Sequence, residues 1–217
     1  MRGKDKFKGN YVCSFIGGLT ALVALMVAIP IPWARVSAEH KNRCDNSPTM
    51  YIRLPNGFCE AADIVGTANV ERRCLTWEDD GEWEAVDATL RTRGQSADFS
   101  TSADELWPAA QWFTIASAIL CAIVVLFSVH ALYLHLGATL VSKGLNIAFL
   151  SLAAAASIIG WSIAVASEQF NEESYRKFYP LLALDDSPSG GNGEVCDGEL
   201  EIQAGFGLVV AASGVLL

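Results

Sequence analysis

Residues 9–34, 106–142 and 144–167 contain no Asp, Glu, Lys or Arg, and a fourth uncharged run begins at Ile202 and continues to Leu217. Such runs restrict a chain to very few folds. A helix needs roughly 20 apolar residues to cross a hydrocarbon core of about 30 Å, with every backbone polar group satisfied inside the helix. The first three runs meet that length, and Pro30 and Pro32 close the first near a membrane face. The fourth supplies 16 residues, about 24 Å at about 1.5 Å per residue. The pattern predicts transmembrane helices over 11–34, 106–136, 144–167 and 202–217, the last cut short.

Charge orients these spans. The segment 1–10 holds Arg2, Lys4, Lys6 and Lys8 against Asp5, and the short link 137–143 carries Lys143. The long connections are acidic: 8 basic against 14 acidic residues over 35–105, and 2 against 9 over 168–201. Positive charge stays on the cytoplasmic side. The N-terminus and the 137–143 link are therefore expected inside, and both long loops outside, in a multi-pass protein of the plasma membrane. Val36-Ser37-Ala38 could also end a signal peptide, but the apolar run is longer than an ordinary one. A retained helix is the preferred reading.

Six cysteines divide by position. Cys13 and Cys121 lie within predicted helices, where a thiol behaves as a small apolar group. Cys44, Cys59, Cys74 and Cys196 fall in the outside loops, and an even number on the oxidising side favours disulfides. Of three pairings, Cys59–Cys74 with Cys44–Cys196 is preferred. The spacings do not match a zinc site and only His40 lies nearby, so no metal is expected. Met50–Leu54, Phe58–Val65 and Val70–Trp77 read as strands around the turn Pro55-Asn56-Gly57, a small antiparallel sheet that a disulfide would staple. Residues 84–92 read as a short helix, and 94–102 as irregular.

Few groups suggest chemistry. Glu78, Asp79, Asp80, Glu82 and Glu84 form an acidic turn, read first as a solvated loop and second as a charge-selective or cation-attracting surface. Asp185, Ser187, Ser189 and Gly190 begin a calcium-loop pattern, but Cys196 stands where a bidentate Glu is required. His130 and His135 are five residues apart, do not share a helix face and have no carboxylate partner in the span; interfacial placement with Tyr133 is preferred. No nucleophile–base pair, glycine-rich phosphate loop or HExxH motif occurs. Neither an enzyme, a cofactor nor a nucleic-acid partner is expected. Neither loop has an Asn-x-Ser/Thr sequon.

The helices do show small residues at helical spacing: Gly17, Gly18 and Ala21; Ala153, Ala156, Gly160 and Ala164; Gly207, Ala211 and Gly214. Such residues let backbones approach closely in lipid, either inside one bundle or against a neighbour. Trp33, Trp107, Trp112 and Trp161 sit near predicted helix ends, as interfacial anchors do.

In this order the parts resemble the claudin superfamily, which includes the peripheral myelin proteins and the calcium-channel gamma subunits. Helix one exits through Pro32-Trp33-Ala34-Arg35-Val36-Ser37, similar to the family's Pro-x-Trp-Arg-x-Ser. Gly57-Phe58-Cys59 and Cys74 look like a degenerate Gly-Leu-Trp-x-x-Cys…Cys signature. Glu105–Gln111 is close to Asp-Leu-x-Ala-Ala-Arg, with Gln111 where the family has Arg. Lys143-Gly144, Trp161, Phe178-Tyr179-Pro180 and Gly205-Phe206-Gly207 match later landmarks. The wide Cys59–Cys74 spacing, the missing signature Trp and the extra Cys44 and Cys196 depart from the pattern. The trypanosomatid amastins are a looser match, through Cys74-Leu75-Thr76-Trp77.

The resemblance implies an all-α four-helix transmembrane bundle carrying a small extracellular antiparallel β-sheet with strands from both loops. It implies that Cys59 and Cys74 staple the sheet, that Trp33 and Phe58 anchor it to the membrane surface, and that Phe178 and Tyr179 touch a neighbour. Three functions are weighed. The first is a structural tetraspan that self-associates laterally into strands, arrays, contacts or barriers. The second is an auxiliary subunit of an ion channel or other large membrane complex. The third is a paracellular-type pore lined by the acidic turn. The expected partners are the lipid bilayer and a second copy or another integral membrane protein.

Overall fold

The computed structural model describes residues 2–38, 49–54, 57–61, 74, 75, 84, 87, 88, 91, 101–133, 140–167, 170 and 198–217. Helix α1 runs over Arg2–Ala28, so residues 2–10 continue the helix rather than preceding it. It stops at Ala28, not at the expected position 34, and the prolines explain why. Pro30 and Pro32 lack the amides that the carbonyls of Met26 and Ala28 would accept from. Ile29 still donates to Leu25 O at 3.1 Å, and the helix ends there.

A π-helical turn, Ser102–Leu106, leads into α2, Trp107–Tyr133. Pro108, which has no amide to donate, lies just past this π turn. Helix α3 covers Leu140–Ala166, so Lys143 lies within a helix rather than in the link. Helix α4 covers Ala204–Leu216. The segments Tyr11–Ala28, Ala103–Tyr133 and Lys143–Ala166 are long and apolar enough to cross a membrane. Helix α4 is apolar but has 13 residues, about 20 Å. Each helix packs on two others in a closed ring: α1 on α2 and α4, α3 on α2 and α4.

The bundle is apolar outside and small or polar inside. Its buried residues include Ala21, Ala118, Ala153, Ala154, Ala164 and Ala212, with Thr114, Ser117, Ser128, Asn146, Ser157 and Ser213 among them. Its exposed residues include Ile16, Val23, Met26, Ile119, Leu126, Phe127, Ile147, Leu152 and Val165. Large contiguous apolar surface of this kind is not tolerated in water. Together with three helices long and apolar enough to span, it marks a multi-pass membrane protein.

Five strands cap one end of the ring: β1, Ala34–Ala38; β2, Thr49–Arg53; β3, Gly57–Ala61; β4, Cys74–Leu75; β5, Gly198–Ile202. All pairs are antiparallel, in the order β4-β3-β2-β1-β5. Gly57 opens β3 at φ 76, the left-handed region where a side chain is disfavoured. One row across the sheet joins Ala34, Ile52, Phe58 and Leu75; the next joins Arg35, Tyr51, Cys59 and Cys74. Ala34, Val36, Ile52 and Leu54 are buried and belong to the core that includes the helices.

The first expected strand is present as β2, shifted by one residue. Strands β3 and β4 fall on the other two, whose remaining residues lie outside the described ones, and β1 and β5 add one strand from each long connection. Strand β5 takes Ile202 from the run expected to be helical, and α4 begins two residues later. Because β5 pairs with β1, the two long connections meet at one end of the bundle. Glu84, Asp87, Ala88 and Arg91, within the expected short helix, are helical.

Candidate functional site

Among the described residues, two features can carry function: the joint between bundle and sheet, and the outward helix faces. The joint centres on Trp33, which is fully buried. Its backbone N–H donates to Ile52 O at 2.8 Å, its carbonyl accepts from Gln203 N at 2.9 Å, and its indole Nε1 donates to Ala28 O at 3.0 Å. That last bond falls on the carbonyl that Pro32 leaves without a helical partner. One side chain thus caps α1, while its backbone ties β1 to β2 and to the start of α4.

The ring of Trp33 meets Trp107 of α2 at 6.2 Å and Phe206 of α4 at 5.9 Å, both edge to face. Phe206 extends the cluster to Phe170 and Trp161. Gly205 donates its N–H to Pro32 O at 3.1 Å. A Cβ on Gly205 would stand 2.7 Å from Pro32 O and 2.8 Å from Ile31 O, so only glycine lets α4 start here. The expectation that Trp33 and Trp107 are lipid-interface anchors is therefore corrected. Both are fully buried and hold protein to protein, whereas Trp112, at 71 % exposure, faces outward. Trp161 is half-buried.

Inside the ring, Ser117 Oγ donates to Ala153 O at 2.8 Å, and Ser157 Oγ meets Ser213 Oγ at 2.8 Å. Asn146 Nδ2 donates to Ser128 Oγ at 3.4 Å. These bonds link α2 to α3 and α3 to α4 in a medium without competing water. Sequence reading passed over this seam, although Thr114, Ser117, Cys121 and Ser128 recur at steps of three, four and seven along α2.

The small-residue stripes divide by direction. Ala153, Ala156, Gly160 and Ala164 are buried, and a Cβ on Gly160 would lie 3.1 Å from Thr114 Oγ1. That stripe is used within the bundle, as is Gly18 against Val124. Gly207, Ala211 and Gly214 are exposed, with open space beyond both glycines. On the neighbouring helix, Gly144, Ala148, Ser151 and Ala155 also follow one another on the exposed side.

Among the remaining sequence candidates, Cys59 and Cys74 are directly opposed partners of β3 and β4. Cys13 and Cys121 are free thiols. Gly57 and Phe58 lie in β3, Gln111 is half-buried near the start of α2, and Glu84 and His130 are exposed. Cys44, Cys196, Glu78, Asp79, Asp80, Glu82, His135, Phe178 and Tyr179 lie outside the described residues. Compared with protein-family models and with curated proteins, the chain finds no match.

Proposed function

We propose that this chain is a claudin-like structural tetraspan that self-associates laterally in the plasma membrane. In this reading α4 is the fourth span, the N-terminus is cytoplasmic and the sheet stands outside the cell, braced by a Cys59–Cys74 disulfide. The observation that carries it is the outward stripe Gly207, Ala211 and Gly214, with a separate exposed row of small residues on α3, Gly144, Ala148, Ser151 and Ala155. A Cβ on Gly144, Gly207 or Gly214 would meet nothing within 4 Å, and small residues at this spacing let a second helix approach closely in lipid. The Trp33 joint fixes the sheet to the bundle, so copies aligned by their helices would also align their sheets.

Gly207→Leu with Gly214→Leu tests this cleanly, because both side chains enter open space and leave the monomer intact. Single-molecule photobleaching in bilayers of controlled density should show the wild type as dimers or larger. The double variant should associate at least about tenfold more weakly, a loss of about 1.4 kcal/mol. A monomeric wild type at membrane-like density overturns the reading. A stoichiometric, unrelated polytopic protein purified with the chain from native membrane points instead to an auxiliary subunit using the same faces.

A further inference from the structure

Helix α1 is longer than its membrane span. It runs unbroken over Arg2–Ala28, yet only Tyr11–Ala28 is apolar enough to cross a bilayer. Contacts with its neighbours show where the excess lies. Gly18 meets Val124 of α2, and Gly17 meets Val215 of α4. Both neighbours start at the sheet, where α1 ends, so they run antiparallel to it. Counting from those contacts, Tyr133 is level with about residue 9 and Leu217 with about residue 15 of α1, at about 1.5 Å per residue. Residues 2–8 lie beyond the level of Tyr133, the last described residue of α2.

That projection carries Arg2, Lys4, Lys6 and Lys8 against a single Asp5, in a chain of net charge −9. From Tyr11, position 8 lies about 4.5 Å and position 2 about 13.5 Å along the axis, spanning and just overshooting a headgroup layer of about 5–8 Å. Four cations against one acid, on a helix continuous with a span, place net positive charge at headgroup depth.

We propose that residues 2–8 form a collar that binds anionic phospholipid headgroups of the leaflet on the side opposite the sheet. A juxtamembrane cluster of this size attracts anionic lipid electrostatically, each cation near the surface contributing about a fivefold preference. The binding weakens with salt. It depends on membrane embedding and not on self-association.

The full chain is reconstituted into phosphatidylcholine bilayers with a trace of spin-labelled phosphatidylserine or spin-labelled phosphatidylcholine in both leaflets, so that orientation has no influence. The motionally restricted fraction then measures the lipid beside the protein. Phosphatidylserine should be preferred at least about fivefold at low salt, and the preference should fall towards parity at about 1 M salt. It should also fall in the variant combining Arg2→Gln, Lys4→Gln, Lys6→Gln and Lys8→Gln. Lys143→Gln should retain most of it. No preference in the wild type, an undiminished preference in the quadruple variant, or its loss in Lys143→Gln each overturns the proposal.

Discussion

Trp33 makes good a deficit that two prolines create. Pro32 removes the amide that would have satisfied Ala28 O, and the indole supplies a replacement at 3.0 Å. Trp33→Phe keeps most of the ring area but leaves that buried carbonyl unpaired, so it should cost about 1–3 kcal/mol. Trp33→Ala also removes the contacts with Trp107 and Phe206 and should cost about 3–5 kcal/mol. Reversible unfolding in mild detergent, followed by the fluorescence of the remaining tryptophans, measures both. Equal stability of the wild type and Trp33→Phe would remove the capping role. Gly205→Ala should destabilise by about 1–3 kcal/mol, because its Cβ would press on backbone oxygens that cannot rotate away. The importance of Trp33 was legible in sequence, but its partner was not. An aromatic residue at a helix end reads as a lipid anchor until a neighbouring helix is seen to cover it.

Between elements, close approach outweighs hydrogen bonding. An interhelical hydrogen bond in a membrane averages about 0.6 kcal/mol, because the separated helices also find partners. Ser117→Ala and Ser157→Ala should each cost about that much in a helix-dissociation or unfolding assay. Gly160→Leu should cost more, about 2 kcal/mol or above, since even its Cβ would meet Thr114 Oγ1 at 3.1 Å and Ala110 O at 3.2 Å. A larger loss in either serine variant than in Gly160→Leu would reverse that order. Asn146 Oδ1 has no hydrogen-bond partner and its Nδ2 donates only a long bond to Ser128 Oγ, so Asn146→Leu combined with Ser128→Ala, which removes both partners, should be near neutral. Within the sheet, directly opposed antiparallel residues have Cα atoms about 4.5–5.5 Å apart, inside the range for a disulfide. Non-reducing peptide mapping should find Cys59 and Cys74 linked, with Cys13 open to alkylation. The Arg35–Glu201 pair, 3.8 Å apart and largely exposed, joins β1 to β5 but contributes little.

At the scale of the whole molecule, the basic and acidic ends of the bundle predict an orientation. On intact cells, a membrane-impermeant maleimide should label Glu201→Cys in the sheet and leave Gly3→Cys in α1 unlabelled until the membrane is opened. Labelling of Gly3→Cys alone would invert the topology. The sequence by itself determined the charge-free lengths, the prolines that end α1 and the charge difference between connections. All of these are local, and a bilayer acts on them directly as a solvent. Only the tertiary structure decided which small-residue stripe is spent inside the ring and which is left outside, because a period of 3.6 gives a helix a face without saying what the face meets. It also decided the pairing of β1 with β5: the two strands come from opposite ends of the chain and meet only once the helices bring Trp33 and Gln203 together.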